Sequence, residues 1–212
     1  MNRQAILVCC LLLTGCTGTP RYDPTRSLVA IHGEGLGSGV IVGVDGQHVY
    51  VLSVAHVARH SPNPMVSGRG RPTQPGTWVA TDEKHDLALL RFIWHDLGTI
   101  TVAVVSNEND FTLRPIIIVG HLPVPDSPAH WTTGHVVGAA ANGRILLNGW
   151  ISLGYSGGPV LDAVHGELLG VVASYWVVGH CSWPMPQPLH QASMAVSAPV
   201  IRAFLKGKVP GF

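Results

Sequence analysis

Charge is scarce in this chain. Asp, Glu, Lys and Arg make up 12% of its 212 residues, about half the usual share. Neither sign dominates, with 13 Lys and Arg against 12 Asp and Glu and a formal net charge of +1. Without a basic surplus there is no electrostatic footprint for nucleic acid. The 46% hydrophobic content supplies a core and excludes a disordered chain. Cysteine is equally sparse: Cys9, Cys10, Cys16 and Cys181 are the four. Only one lies beyond residue 16, which excludes a disulfide-stapled fold. Cys181 reads as a free buried thiol, with a bridge between chains as the alternative. No apolar run reaches the roughly 20 residues of a membrane-spanning helix. Internal repeats and heptads are also missing, so a solenoid or coiled coil is excluded.

Glycine and proline, by contrast, are plentiful at 25 and 16, which suits a chain of short strands and many turns. The length fits one domain or a two-lobed domain. Residues 1–15 read as a signal: one Arg, a continuous apolar stretch over 5–13, then Leu13-Thr14-Gly15-Cys16. That stretch fits a secretory signal's apolar region. Residues 16–27 hold Pro20 and Pro24 without apolar periodicity and read as a tether. Residues 28–212 form the domain. Its predicted strands are 28–31, 40–44, 48–53, 78–81, 87–93, 100–105, 114–119, 132–137, 144–147, 168–175 and 193–196. Asp45-Gly46 between the second and third is a hairpin signal. Residues 54–60 read as a short helix, 61–75 as a loop, 198–205 as a final helix and 206–212 as a loose tail.

Three segments carry the chemistry. Gly154-Tyr155-Ser156-Gly157-Gly158-Pro159 sets a serine among glycines, either a plain turn or a nucleophile that a substrate can approach closely. Leu52-Ser53-Val54-Ala55-His56 ends an apolar run on a histidine, and His85-Asp86-Leu87-Ala88-Leu89 opens one behind an aspartate. Histidine, aspartate, serine is one of the chain orders of a nucleophilic triad. A serine hydroxyl needs a base to take its proton. A free imidazole titrates near pH 6.5 and can take and return one. Asp82 and Glu83 compete with Asp86 but lie in a charged turn ahead of the apolar run.

These segments resemble those of chymotrypsin-like (trypsin-like) serine peptidases, and most closely the bacterial HtrA type without its PDZ domain. Gly37-Ser38-Gly39-Val40-Ile41 and Met194-Ala195-Val196 extend the resemblance over 28–205. It implies an all-β fold, a chymotrypsin-like double six-stranded β-barrel with a short C-terminal helix. It also implies His56, Asp86 and Ser156 as catalytic residues and the backbone N–H groups of Gly154 and Ser156 as an oxyanion hole. Trp150, Ser174, Tyr175 and Trp176 would bind substrate, the last three along an edge strand. With no acidic residue at the place of Trp150, the primary pocket is expected to take small or medium apolar side chains. The signal's ending resembles a bacterial lipobox, which implies lipid on Cys16 and a place in the cell envelope, at the outer membrane in a Gram-negative cell. The expected activity is that of a serine endopeptidase on extracytoplasmic proteins, with no cofactor. The alternative is a peptide-binding lipoprotein of the same fold that does not cut. Oligomeric state stays open.

Other readings fail on spacing. His56 and His60 stand four apart, but no carboxylate or HExxH pattern supports a metal. The glycines at 33, 35, 37 and 39 lack the GK[ST] of a phosphate loop. GxSxG at 154–158 also suits an α/β-hydrolase elbow, but that fold needs its acid and histidine after the serine and a helix where Pro159 sits.

Overall fold

The computed structural model describes residues 22–68, 72–94, 100–123, 127–178 and 190–212, with backbone alone for 175–178 and 190–192. Two closed six-stranded barrels form, as the resemblance implies. The first runs β1 (Leu28–His32), β2 (Leu36–Asp45), β3 (His48–Ser53), β4 (Met65–Gly68), β5 (Gln74–Asp82) and β6 (Leu87–Ile93). Around the barrel their order is β1-β2-β3-β6-β5-β4. The second holds β7 (Pro115–Gly120), β8 (His130–Ala140), β9 (Arg144–Leu147), β10 (Pro159–Asp162), β11 (Leu168–Val178) and β12 (His190–Ser197). There the order is β10-β11-β12-β9-β8-β7. Every strand pair in both barrels is antiparallel. Short helices α1 (Ala55–His60) and α2 (Ala198–Leu205) follow β3 and β12.

Strand burial follows sequence pattern. In β5 inner and outer residues alternate over the whole strand, the period-two signature of a sheet with one face in water. β3 is buried on both faces beyond His48 and reads as a continuous apolar run. Register shifts at Ile41/Gly43, Trp78/Ala80, Val136/Gly138 and Val172/Ser174 supply the local bends by which a sheet closes on itself. One buried apolar cluster spans both barrels. Each fully buried Val, Leu or Ile in it contributes about 1.5–3 kcal/mol.

Three expectations are corrected. Residues 100–105 form no strand; only Val105 makes an isolated bridge, to Leu168. This apolar stretch serves both barrels instead. The Ala103 N–H donates to Ile41 O in the first barrel, and the Leu168 N–H of the second donates to Val104 O, both at 2.8 Å. The expected loop 61–75 contains β4, which closes the first barrel against β1; only Val66 in it is buried, too little to show as a pattern. The tail 206–212 is packed rather than loose. Val209 is buried and fills the space over Gly43 on β2. At the other end, Tyr22 and Ser27 of the expected tether segment are seated on the domain. The Tyr22 hydroxyl donates to Asp162 O at 2.7 Å, and Ser27 O accepts from the Ile41 N–H. Cys16 and Cys181 lie outside the described residues.

Candidate active site

β3 delivers its C-terminal end to α1, and His56 stands in the first turn of that helix. The β5–β6 hairpin delivers Asp86 beside it. Asp86 adopts a φ of 60°, the left-handed region that Asp tolerates better than most residues. Asp82 holds the hairpin in shape, accepting from His85 N at 3.2 Å with its other oxygen 2.7 Å from His85 Nδ1. Glu83 pairs with Arg59 at the surface. Both competitors of Asp86 are therefore committed elsewhere.

The Asp86 carboxylate makes three contacts with His56. Its Oδ1 accepts from the His56 backbone N–H at 3.0 Å. Its Oδ2 and Oδ1 lie 2.9 and 3.2 Å from His56 Nδ1. A carboxylate is acceptor-only, so Nδ1 carries the proton and Nε2 is left to accept one. Burial pushes the Asp86 carboxyl up, but the His56 hydrogen bonds and charge, with a further contribution from Arg144, hold it below its ordinary value. The aspartate is thus kept ionised.

Ser156 sits at the corner of a tight turn. The Gly158 N–H donates to Tyr155 O at 2.8 Å, and Gly157 has a φ of 84°, the positive value that a type II turn demands at its third residue. A β-carbon on Gly157 would strike Ser38 O and the Ser53 hydroxyl. The turn therefore rests on the first barrel, three residues from His56. Ser156 Oγ itself makes no hydrogen bond to His56 among the described residues. Hydrogen bonds of this kind commonly tighten only when substrate is bound. β10 begins at Pro159, where an α/β-hydrolase would have a helix, so the elbow reading is excluded.

Ser38 is a functional candidate missed in the sequence. It is fully buried, and its backbone N–H donates to Ser156 O at 2.8 Å. Its hydroxyl donates to Gly154 O at 2.7 Å and accepts from the His121 N–H at 3.0 Å. The Ser53 hydroxyl in turn donates to Ser38 O at 2.8 Å. These partners lie up to 118 residues away, and no local pattern announces them. Gly154 has a φ of 87°, and a β-carbon there would meet His121 O. With its carbonyl tied to Ser38, the N–H groups of Gly154 and Ser156 donate no hydrogen bond among the described residues. Burial, then the nearby His32 and His130, pushes the His121 imidazole down to about 4.

Trp150 stands 51% exposed, edge-on to the buried Tyr155 with ring centroids 6.1 Å apart. It offers an accessible aromatic face. Ser174 lies on β11 and accepts from Arg144 Nη1 at 3.4 Å. The side chains of Tyr175 and Trp176 lie outside the described atoms. No group of three or more metal-ligating side chains occurs among the described residues.

Residues 37–171 match the family described as trypsin-like peptidase domain. An HtrA-like serine protease of Staphylococcus aureus is 25% identical over 154 residues, covering 66% of this chain and 20% of its own length. The chain thus spans about a fifth of the curated relatives it matches. Among solved structures, the serine endoprotease from Yersinia pestis superposes with a TM-score of 0.69 at 18% identity, covering 88% of this chain and 64% of that one. The Rv3671c protease of M. tuberculosis, in its inactive form, gives 0.65 at 21%, covering 89% and 91%.

Proposed function

Because the chain belongs to the trypsin-like peptidase family, we propose that it is a serine endopeptidase that cuts proteins or peptides by way of an acyl-enzyme. Ser156 Oγ attacks the carbonyl carbon of the scissile bond while its proton passes to His56 Nε2. Asp86 holds the tautomer and stabilises the imidazolium. The tetrahedral oxygen takes its negative charge to the N–H groups of Gly154 and Ser156, each such donor being worth about 3 kcal/mol in this chemistry. The departing amine leaves with the proton from His56. Water then attacks the acyl carbon by the same route, and the second product is the carboxylate. No cofactor enters.

The observation that carries this reading is the pairing of an Asp86-bound His56 with two backbone N–H donors left uncommitted beside Ser156. The edge of β11 past Val172, unpaired among the described residues, supports an extended substrate bound as an added strand. The exposed face of Trp150 supports apolar side chains at the cleavage site. Lipid on Cys16, and with it a place in the cell envelope, belongs to the same proposal and rests on the lipobox resemblance. No helix among the described residues is long and apolar enough to cross a membrane.

Fluorophosphonate labelling with peptide mapping tests the assignment. Labelling confined to Ser156 and lost in His56→Ala is expected. A folded protein that stays unlabelled overturns it. That result would favour the second reading, a peptide-binding protein that does not cut, for which the missing Ser156–His56 hydrogen bond is the supporting observation.

A further inference from the structure

β11 continues past the Ser156 turn with no strand paired on its β10 side among the described residues. The last contacts on its β10 side are at Val172, whose O accepts from the Gly157 N–H at 2.8 Å and whose N–H donates to Gly158 O at 2.9 Å. From Ser174 to Val178 its ladder is with β12 alone among the described residues. A peptide added there in the antiparallel sense shared by every pair in this barrel would run toward Ser156. Residues lying against 174–178 would then precede the bond to be cut. Their side chains would alternate between the two faces of the strand.

Arg144 lies two strands from this edge, and its side chain reaches across β12 to Ser174. It opens β9, opposite Val196 of β12, and is half-buried. Among the described residues its side chain makes one hydrogen bond, the 3.4 Å contact to Ser174 Oγ. Arg26, Arg59 and Arg114 each face a carboxylate; Arg144 has none within ion-pair distance among the described residues. A guanidinium carries five N–H donors in a planar fork, so most of its capacity is uncommitted. Its charge adds to the effects that hold the Asp86 carboxyl below its ordinary value. Asp86 feels this charge but lies beyond ion-pair distance, so the guanidinium fork holds no hydrogen-bonded anion among the described residues, and taking a cation partly out of water costs free energy unless an anion answers it. The answering group that fits a guanidinium fork is a carboxylate, held by two parallel hydrogen bonds.

We propose that Arg144 and Ser174 form an anion subsite beside this unpaired edge of β11, which takes an Asp or Glu side chain of the substrate ahead of the scissile bond. The word substrate rests on the peptidase reading; the anion site rests on Arg144, Ser174 and that edge. The apolar choice expected at the cleavage position itself is unaffected, because that side chain occupies a different pocket.

Matched internally quenched peptides test this, with Glu or Gln scanned singly through the residues before the cleaved bond. In the wild type, Glu is expected to beat Gln about tenfold in kcat/KM. The gain should appear mainly in KM, at one position or at two alternate positions. Arg144→Gln should erase the preference, Arg144→Lys should keep part of it, and Arg144→Glu should turn it toward Lys. A wild type indifferent to Glu, or a preference that survives Arg144→Gln, overturns the subsite. So does an Arg144→Gln variant that slows Glu and Gln peptides equally, since that would mark a residue serving Asp86 alone. Fluorescence anisotropy of the same peptides on Ser156→Ala separates the two readings. Glu-selective binding that needs Arg144, in a protein whose wild type never cuts, keeps the subsite and sinks the peptidase. Cutting without selectivity does the reverse.

Discussion

Asp86 is held by its surroundings more than its exposure suggests. Three contacts to His56 and a left-handed backbone fix where its carboxylate lies. Asp86→Asn keeps the shape but lets the amide donate to Nδ1, which selects the wrong imidazole tautomer. A kcat loss of roughly 10⁴-fold is expected in a variant that still folds with a somewhat lowered melting temperature, read by steady-state kinetics and calorimetry side by side. Ser38→Ala tests a different residue. It strips the partner from a buried carbonyl, Gly154 O, a change that costs about 1–3 kcal/mol. We expect kcat to fall 10- to 100-fold, in line with that cost, and KM to hold, because the loop bearing the proposed oxyanion donors loses its anchor. Unchanged kcat in a folded Ser38→Ala would show that the anchor is dispensable. His56, Asp86 and Ser156 stood out as candidates in the sequence because each stands at the edge of an apolar run or among glycines, and the structure brings Asp86 against His56. Ser38 and His121 were not, because their roles exist only across the gap between the barrels.

At the scale of elements, local patterning was read well where burial alternates or is continuous. β3 and α2 match their expected bounds, since both carry a strong apolar signal between clear breakers. Residues 100–105 misled for the same reason: they are apolar because both barrels press on them, not because they pair in a ladder. β4 was hidden in a polar stretch rich in Pro and Gly. The tail was misjudged because one side chain does its work. Val209 fills the gap over Gly43, and Val209→Ala should lower stability by about 2 kcal/mol, seen as an earlier denaturant midpoint with the same slope. A midpoint unmoved by the change would mean that the tail contributes nothing to the first barrel.

The molecule as a whole should be acid-sensitive in two stages. A histidine whose native pKa is depressed to about 4 binds its proton more readily when unfolded. The unfolded state therefore takes up protons first as pH falls from about 6.5 to about 4, and stability drops by about 3 kcal/mol across that window. Below about 4, Asp86, Asp82 and Asp162, all held under their ordinary values, take over the loss as they are protonated. Urea titrations at stepped pH should show the first stage vanish in His121→Gln while the second remains. His56 and Asp86 belong to one barrel, Gly154 and Ser156 to the other, and the strand carrying Ser38 joins them through a backbone hydrogen bond to Ser156 itself. Either barrel can therefore be complete while the protein is still disarmed. The constellation proposed to act on other proteins therefore exists only when the two barrels are docked against each other.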